Sequence, residues 1–174
     1  MITWLFDEPR TVRGYATLLL NTFVFVAAWS LVWVTIFEAW GLLEDRLAFE
    51  QRLDEAFARY PRRMFLLMQE QVLWEEIRAR IIPLTLALMV ARRTKWWWLV
   101  ALAFALFSVI WFGWMHGGWA GLWLDGVGTG IPLGLIFLKC GGLRGGLGGY
   151  LKASGTVVGV HMGWNVIVTG LRIL

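Results

Sequence analysis

The sequence has 174 residues, of which 59% are hydrophobic and only 16% are charged, and it contains 13 tryptophans. This composition excludes a disordered chain and argues against an ordinary soluble domain, in which about 25% of residues are charged. The net charge is +4, but the basic residues are scattered between apolar stretches, as is typical of loops beside membrane helices. We therefore expect a lipid bilayer as the partner and no nucleic acid. The single cysteine, Cys140, excludes an internal disulfide.

Uncharged stretches predict an all-α polytopic membrane protein, with residues 1–174 as a single membrane domain. Three stretches of about 20 residues or more lack Asp, Glu, Lys and Arg: residues 15–37, 96–124 and 153–171. The first transmembrane helix is predicted over residues 14–41. A shorter apolar stretch, residues 126–138, is rich in glycine, which lets a neighbouring helix approach closely. In total we predict about five transmembrane helices plus one interfacial amphipathic helix.

The interfacial amphipathic segment is predicted over residues 42–70, the most polar part of the chain. Phe49, Leu53 and Phe57 recur every four residues among charged side chains, which is typical of a helix lying in the membrane interface. Its charged residues are expected to form a solvated face. Pro61 is predicted to end this helix.

The fifth span must contain charged residues. Only residues 81–91 are uncharged between Arg80 and Arg92, whereas about 20 residues are needed to cross the bilayer. The helix reaches that length only by extending back through residues 71–80. This extension places two glutamates and two arginines at or near membrane depth, where ionisable residues are costly and are functional candidates.

The ionisable candidates in or near the predicted spans are few: Glu75, Glu76, Arg78, Arg80, His116, Asp125 and His161. Glu76 and Arg80 are four residues apart and are predicted to pair on one helix face. Glu75 projects about 100° away from Glu76 and can face another helix. Asp125 stands beside glycines and is predicted to be a turn residue.

Two pairs among these residues suit acid–base chemistry. A carboxylate and an imidazole, Glu75 and His116, form a plausible general-base pair. His161 and Asn165 are four residues apart on one face, and both offer N–H donors for an oxyanion. Three alternatives remain open: histidines that only bridge helices, a Glu/Arg cluster that only anchors the interface, and axial haem ligation by the two histidines.

Three motifs follow one another along the chain: Glu75-Glu76-x-x-x-Arg80, Phe112-x-x-x-His116 and His161-x-x-x-Asn165. With them, residues 74–165 resemble the CAAX protease and bacteriocin-processing family, also called the abortive-infection family, of glutamic intramembrane proteases. The resemblance implies that residues 71–174 form a catalytic helical core whose motif residues face a cavity. The chain is shorter than the larger members of the family, and its segment between Cys140 and His161 is longer and richer in glycine than usual.

The resemblance also implies the roles of the site residues: Glu75, His116, His161 and Asn165 are catalytic, and Glu76 and Arg80 support them. Glu75, assisted by His116, would activate a water molecule, and His161 with Asn165 would form the oxyanion site. The implied mechanism uses no metal and no other cofactor.

We therefore expect an intramembrane endopeptidase that acts on a membrane-anchored or lipid-proximal protein substrate. A multi-pass arrangement in a prokaryotic cytoplasmic membrane is expected, with a slight bias of basic residues toward an N-terminus in the cytoplasm. Small members of the family resemble peptidases that process C-terminal sorting or anchoring tags. The alternative is a non-catalytic membrane scaffold or immunity protein that keeps the motifs for structure. Substrate identity and oligomeric state remain open.

Overall fold

The computed structural model describes residues 8–142 and 146–173, and this part of the chain is helical, without β-strands. Six helices follow one another: α1 (Val12–Ala39), α2 (Glu44–Arg59), α3 (residues 61–94), α4 (Trp98–Met115), α5 (Gly118–Lys139) and α6 (Gly146–Ile173). Three of them contain a π-helical stretch: Ile77–Ile81 in α3, Phe104–Trp111 in α4 and Leu122–Gly130 in α5. The predicted all-α class is confirmed for the described residues.

Within the described residues, three helices are long and apolar enough to cross a membrane, namely α1, α4 and α5. The helices α3 and α6 fall outside the same limits of length and composition. The predicted count of about five spans is therefore not confirmed, and membrane crossing by α3 and α6 stays a prediction.

The prediction of one span over residues 96–124 is wrong, because a glycine turn divides it. The helix α4 ends at Met115, and Gly117 and Gly118 have φ angles of 126° and 60°. Glycine adopts such angles without strain. The turn contains no charged residue, so a prediction based on uncharged stretches could not detect it. The following stretch, predicted as a short span over residues 126–138, is consequently part of a helix of 22 residues.

The predicted boundaries near the N-terminus are only partly correct. The first helix occupies Val12–Ala39 instead of residues 14–41, and α2 ends at Arg59, before Pro61 as predicted. Residues 61–70, however, belong to α3, because proline is well suited to the first turn of a helix, where its missing N–H needs no partner. In the glycine-rich segment between Cys140 and His161, residues 143–145 lie outside the described residues, and the part from Gly146 onward belongs to α6.

Backbone-to-backbone packing of α4 against α5 depends on glycines. A Cβ atom at Gly113 would lie 2.6 Å from the Cα atom of Leu122, and one at Gly130 would collide with the carbonyl oxygen of Ser108. Small residues let helices approach this closely, so the predicted close approach is confirmed.

The helix α1 lies along α5 through aromatic contacts. The Trp29 indole N–H donates to the carbonyl oxygen of Trp123 at 2.6 Å, and the Trp33 and Trp123 rings stack with centroids 4.8 Å apart. The main core, formed by α3, α4, α5 and α6, includes Leu84, Ile136 and Val157. This packing brings the motif-bearing helices α3, α4 and α6 together.

Candidate active site

The helix α3 presents two neighbouring glutamates to different surroundings. Glu75 and Glu76 are the last residues before the π-helical stretch Ile77–Ile81. Because successive residues of a helix are about 100° apart, Glu76 points into the core and is fully buried, whereas the Glu75 side chain is 15% exposed. The Ser108 hydroxyl of α4 donates to the carbonyl oxygen of Ala79 at 3.2 Å and so joins α4 to the π-helical stretch.

Glu75 and His116 form what we call the open pair. The Glu75 Oε1 atom lies 3.5 Å from His116 Nε2 and accepts a hydrogen bond from the Gln71 side-chain amide at 2.7 Å. His116 Nδ1 lies 2.7 Å from the carbonyl oxygen of Phe112. Since a carbonyl oxygen only accepts, Nδ1 carries a proton here, and Nε2 is the nitrogen directed at Glu75. The pair predicted from the sequence is thus assembled, and 27% of the His116 side chain is exposed.

Glu76, Arg80 and His161 form what we call the buried cluster. Glu76 Oε1 makes an ion pair with the Arg80 guanidinium and lies 2.6 Å from His161 Nδ1. Glu76 and Arg80 are completely inaccessible, and His161 is 6% exposed. The pairing of Glu76 with Arg80 agrees with the prediction from their spacing. The bond from His161 to Glu76 was not predicted and uses one of the two nitrogens of the supposed oxyanion donor.

Phe112 separates the open pair from the buried cluster. Its ring centroid lies 4.4 Å from that of His116 and 5.9 Å from that of His161, and the Arg80 guanidinium lies 4.1 Å above the same ring. Axial ligation of one haem requires the two imidazoles to face a common iron atom. With Phe112 packed against both rings, this arrangement does not fit the haem alternative.

Asn165 is not joined to the rest of the site. It is half-buried on α6, one helical turn beyond His161, and within the described residues it forms no hydrogen bond to the other candidate residues. Its role in an oxyanion site therefore stays a prediction.

Asp125 is not a turn residue, contrary to the prediction. It lies inside α5, and its Oδ2 atom is 2.6 Å from Arg46 Nη1 of α2. Of the neighbouring glycines that suggested a turn, Gly126 serves the contact with α4 and Gly128 the contact with Trp29 of α1. The charged face of α2 is accordingly not wholly solvated, and no local sequence signal could have identified a pair 79 positions apart.

Gln71 was also missed as a partner of Glu75. The four-residue spacing between them, which brings side chains together on one helix face, was a signal that could have revealed it. Among residues 8–142 and 146–173, no group of three or more His, Cys, Asp or Glu side chains could hold a metal ion.

Comparison with known proteins identified no relative. No protein-family model matches the chain, and neither a curated protein nor a solved structure is significantly similar to it.

Proposed function

We propose that this protein is an intramembrane endopeptidase that hydrolyses a peptide bond in a membrane-anchored or lipid-proximal protein. The observation that carries the proposal is the open pair, in which the Glu75 carboxylate lies 3.5 Å from His116 Nε2. Both side chains are partly exposed, so a water molecule can contact the carboxylate and the imidazole together. A carboxylate beside an imidazole is a suitable general base for such a water molecule.

The proposed reaction uses Glu75 as the base. The carboxylate takes one proton from the water molecule, and the hydroxide oxygen bonds to the scissile carbonyl carbon. Glu75 passes this proton to His116 Nε2, and His116 then delivers it to the departing amine as the carbon–nitrogen bond breaks. The products are a carboxylic acid and an amine, and the proton removed from water balances the one delivered to nitrogen.

Oxyanion stabilisation is assigned to His161 with Asn165. Because His161 Nδ1 is bonded to Glu76, only its Nε2 atom can serve a substrate, and it donates to an oxyanion when it carries a proton. Glu76 supports this role by holding the imidazole ring through its Nδ1 atom, and Arg80 holds the Glu76 carboxylate in turn. Asn165, one turn away on α6, would complete the site once a substrate occupies it.

The membrane setting proposed for the site includes α3 and α6 as spans beside α1, α4 and α5. Glu76 and Arg80 neutralise each other inside the protein, which is how charged residues are tolerated at membrane depth. The motif resemblance supports a multi-pass arrangement in a prokaryotic cytoplasmic membrane and substrates such as C-terminal sorting or anchoring tags.

The experiment compares membrane-protein termini, by mass spectrometry, between cells that produce the wild type and cells that produce Glu75→Gln. Loss of a general base slows a reaction about 10²- to 10⁴-fold. We therefore expect that a set of protein termini found in wild-type cells is absent from cells that produce Glu75→Gln. The matched control is Glu70→Gln, which changes an exposed carboxylate on the same helix and should leave all termini in place. Identical termini in wild type and a folded, equally abundant Glu75→Gln would refute the peptidase and favour the scaffold.

A further inference from the structure

A cavity of about 360 Å³ lies between α1, α5 and α6. Its lining is apolar apart from two threonines and one histidine, and it includes Leu20, Phe23, Leu133, Gly159, His161 and Gly163. The Thr22 hydroxyl donates to the carbonyl oxygen of Leu18 in its own helix at 2.8 Å and is therefore already satisfied. We call this space the α1–α6 groove.

Two glycines give the α6 wall of the groove an open, flat surface. Gly159 and Gly163 are exposed, and a Cβ atom built on either one would meet no atom within 4 Å. The glycines of α5 against α4 differ, since a Cβ at Gly126 or Gly130, which are also four residues apart, would collide with the α4 backbone. The α4 and α5 glycines already hold a helix against them, whereas the α6 pair has the same spacing and surface without one among the described residues.

The groove reaches the candidate active site at His161. This side chain is 6% exposed and lines the cavity, and it is the one ionisable residue in the lining. Its Nδ1 atom is bonded to Glu76, while its Nε2 atom has no hydrogen-bond partner within residues 8–142 and 146–173. A buried imidazole therefore offers one unused polar atom to whatever occupies the groove.

We propose that the α1–α6 groove binds a transmembrane helix of the substrate, with the backbone of that helix against Gly159 and Gly163. The identification of this helix as substrate rests on the proposed function. The lining runs over residues 19–26 of α1 and residues 159–167 of α6, which is about two helical turns on each wall. This length suits a rod that lies along the two helices.

The glycines favour a helix over a lipid chain as the occupant. A thin acyl chain packs about as well against leucine as against glycine, so a lipid does not need the flat surface. A helix is wide, and its backbone reaches another helix closely only where side chains are missing. Phe23 and Trp164 both line the cavity, and their rings keep α1 and α6 in contact at its wall, with centroids 5.4 Å apart.

The test measures binding without requiring catalysis. The purified protein carries a photoreactive phenylalanine in place of Leu20, which is 61% exposed on the α1 wall, and is reconstituted in phosphatidylcholine vesicles. The probe is a synthetic membrane-spanning helix of leucine and alanine. We expect a cross-link to the probe, reduced about tenfold by Gly163→Leu or Gly159→Leu, because a leucine fills the groove and removes helix packing.

Gly148→Leu is the matched control. It makes the same exchange at another open position of α6, outside the groove, and should keep the cross-link at the wild-type level. Equal cross-linking in wild type and Gly163→Leu, or cross-links only to lipid or to a second copy of the chain, would overturn the proposal.

The outcome is separable from the peptidase assignment. Glu75→Gln should cross-link to the probe as the wild type does, since the groove does not use that carboxylate. If Gly163→Leu abolishes cross-linking while Glu75→Gln leaves all cellular termini unchanged, helix binding in the groove is supported and the peptidase function is refuted. If Glu75-dependent termini exist but Gly163→Leu affects neither these termini nor the cross-link, the peptidase function is supported and helix binding in the groove is refuted.

Discussion

Glu75 and Glu76 are neighbours on α3, yet the open pair and the buried cluster place their carboxylates in different surroundings. The Glu75 carboxylate meets the amide of Gln71 and the imidazole of His116, and part of it is accessible. The Glu76 carboxylate is inaccessible and meets the Arg80 guanidinium as well as His161. An arginine keeps its proton under all ordinary conditions and holds a carboxylate ionised, whereas a histidine exchanges protons near neutral pH. We therefore propose Glu75 and not Glu76 as the base, because Glu75 is accessible to water and is not paired with an arginine.

The largest effect is expected when Arg80 is removed from the buried cluster. Arg80→Met leaves the Glu76 carboxylate buried without its cation, which costs about 3–5 kcal/mol of folding stability for buried ion pairs. Glu75→Gln should cost about 1 kcal/mol or less, because it weakens hydrogen bonds at a partly exposed position. Unfolding in detergent, followed by circular dichroism, measures both. The double variant Glu76→Leu with Arg80→Met should recover part of the loss. Equal stability of Arg80→Met and wild type would show that the ion pair does not hold the fold.

A smaller change, Gly121→Ala, is expected to break the open pair and leave the buried cluster in place. The added Cβ would lie 2.7 Å from the carbonyl carbon of His116 and would press on Gly113, so α4 must shift and carry His116 away from Glu75. Overpacking of this kind costs about 1–3 kcal/mol. Glu75-dependent termini should be lost even at temperatures where the variant is folded.

The control for this prediction is Gly148→Ala, whose new methyl group meets nothing within 4 Å. It should retain both stability and termini. Full activity of a folded Gly121→Ala would mean that the distance between Glu75 and His116 is not essential.

The smallest effect concerns an exposed ion pair, which extends the comparison to the protein surface. Lys152 of α6 donates to the Glu8 carboxylate, and the Tyr15 hydroxyl donates to it as well. These bonds lower the pKa of Glu8 below its ordinary value, with the bond from Lys152 as the largest cause. A carboxyl whose pKa is lowered by folding stabilises the fold above its unfolded pKa, about 4.3 for glutamate, and loses that contribution as the pH falls through the lowered value.

The unfolding temperature of the wild type should therefore decrease between neutral pH and about pH 3, and Glu8→Gln should show less of this decrease. The difference should be small, because exposed ion pairs contribute little. Glu75→Gln serves as the reference that retains the Glu8 pair. Superimposable pH profiles for Glu8→Gln and wild type would show that the contact does not tie α1 to α6.

The sequence was most informative within single helices. The spacing of Glu76 and Arg80 correctly predicted their ion pair. The 100° offset of Glu75 from Glu76 correctly predicted that Glu75 faces a different part of the protein. Contacts between helices depend on how each helix is rotated and crossed, which local spacing does not encode. For this reason the bonds from His161 to Glu76 and from Arg46 to Asp125 were not predicted.

The break after α4 was missed for another reason. Charge and apolarity continue unchanged through Gly117 and Gly118, and only their positive φ angles turn the chain. Apolar runs located α1, α4 and the second half of α5, but the end of α4 and the start of α5 depended on backbone freedom that a charge pattern does not register.

The π-helical stretch Ile77–Ile81 sets the helical phase of the two glutamates. A π-turn closes its hydrogen bond one residue later than an α-turn, so it acts as a one-residue insertion between the glutamates and the core-facing half of α3 that follows. One residue corresponds to about 100° of rotation, which is also the angle between Glu75 and Glu76. Rewinding this stretch as a regular α-helix without removing a residue would therefore turn Glu76 into the direction that Glu75 now takes. Which glutamate faces His116 and which faces the core is thus decided by one residue of phase in the backbone.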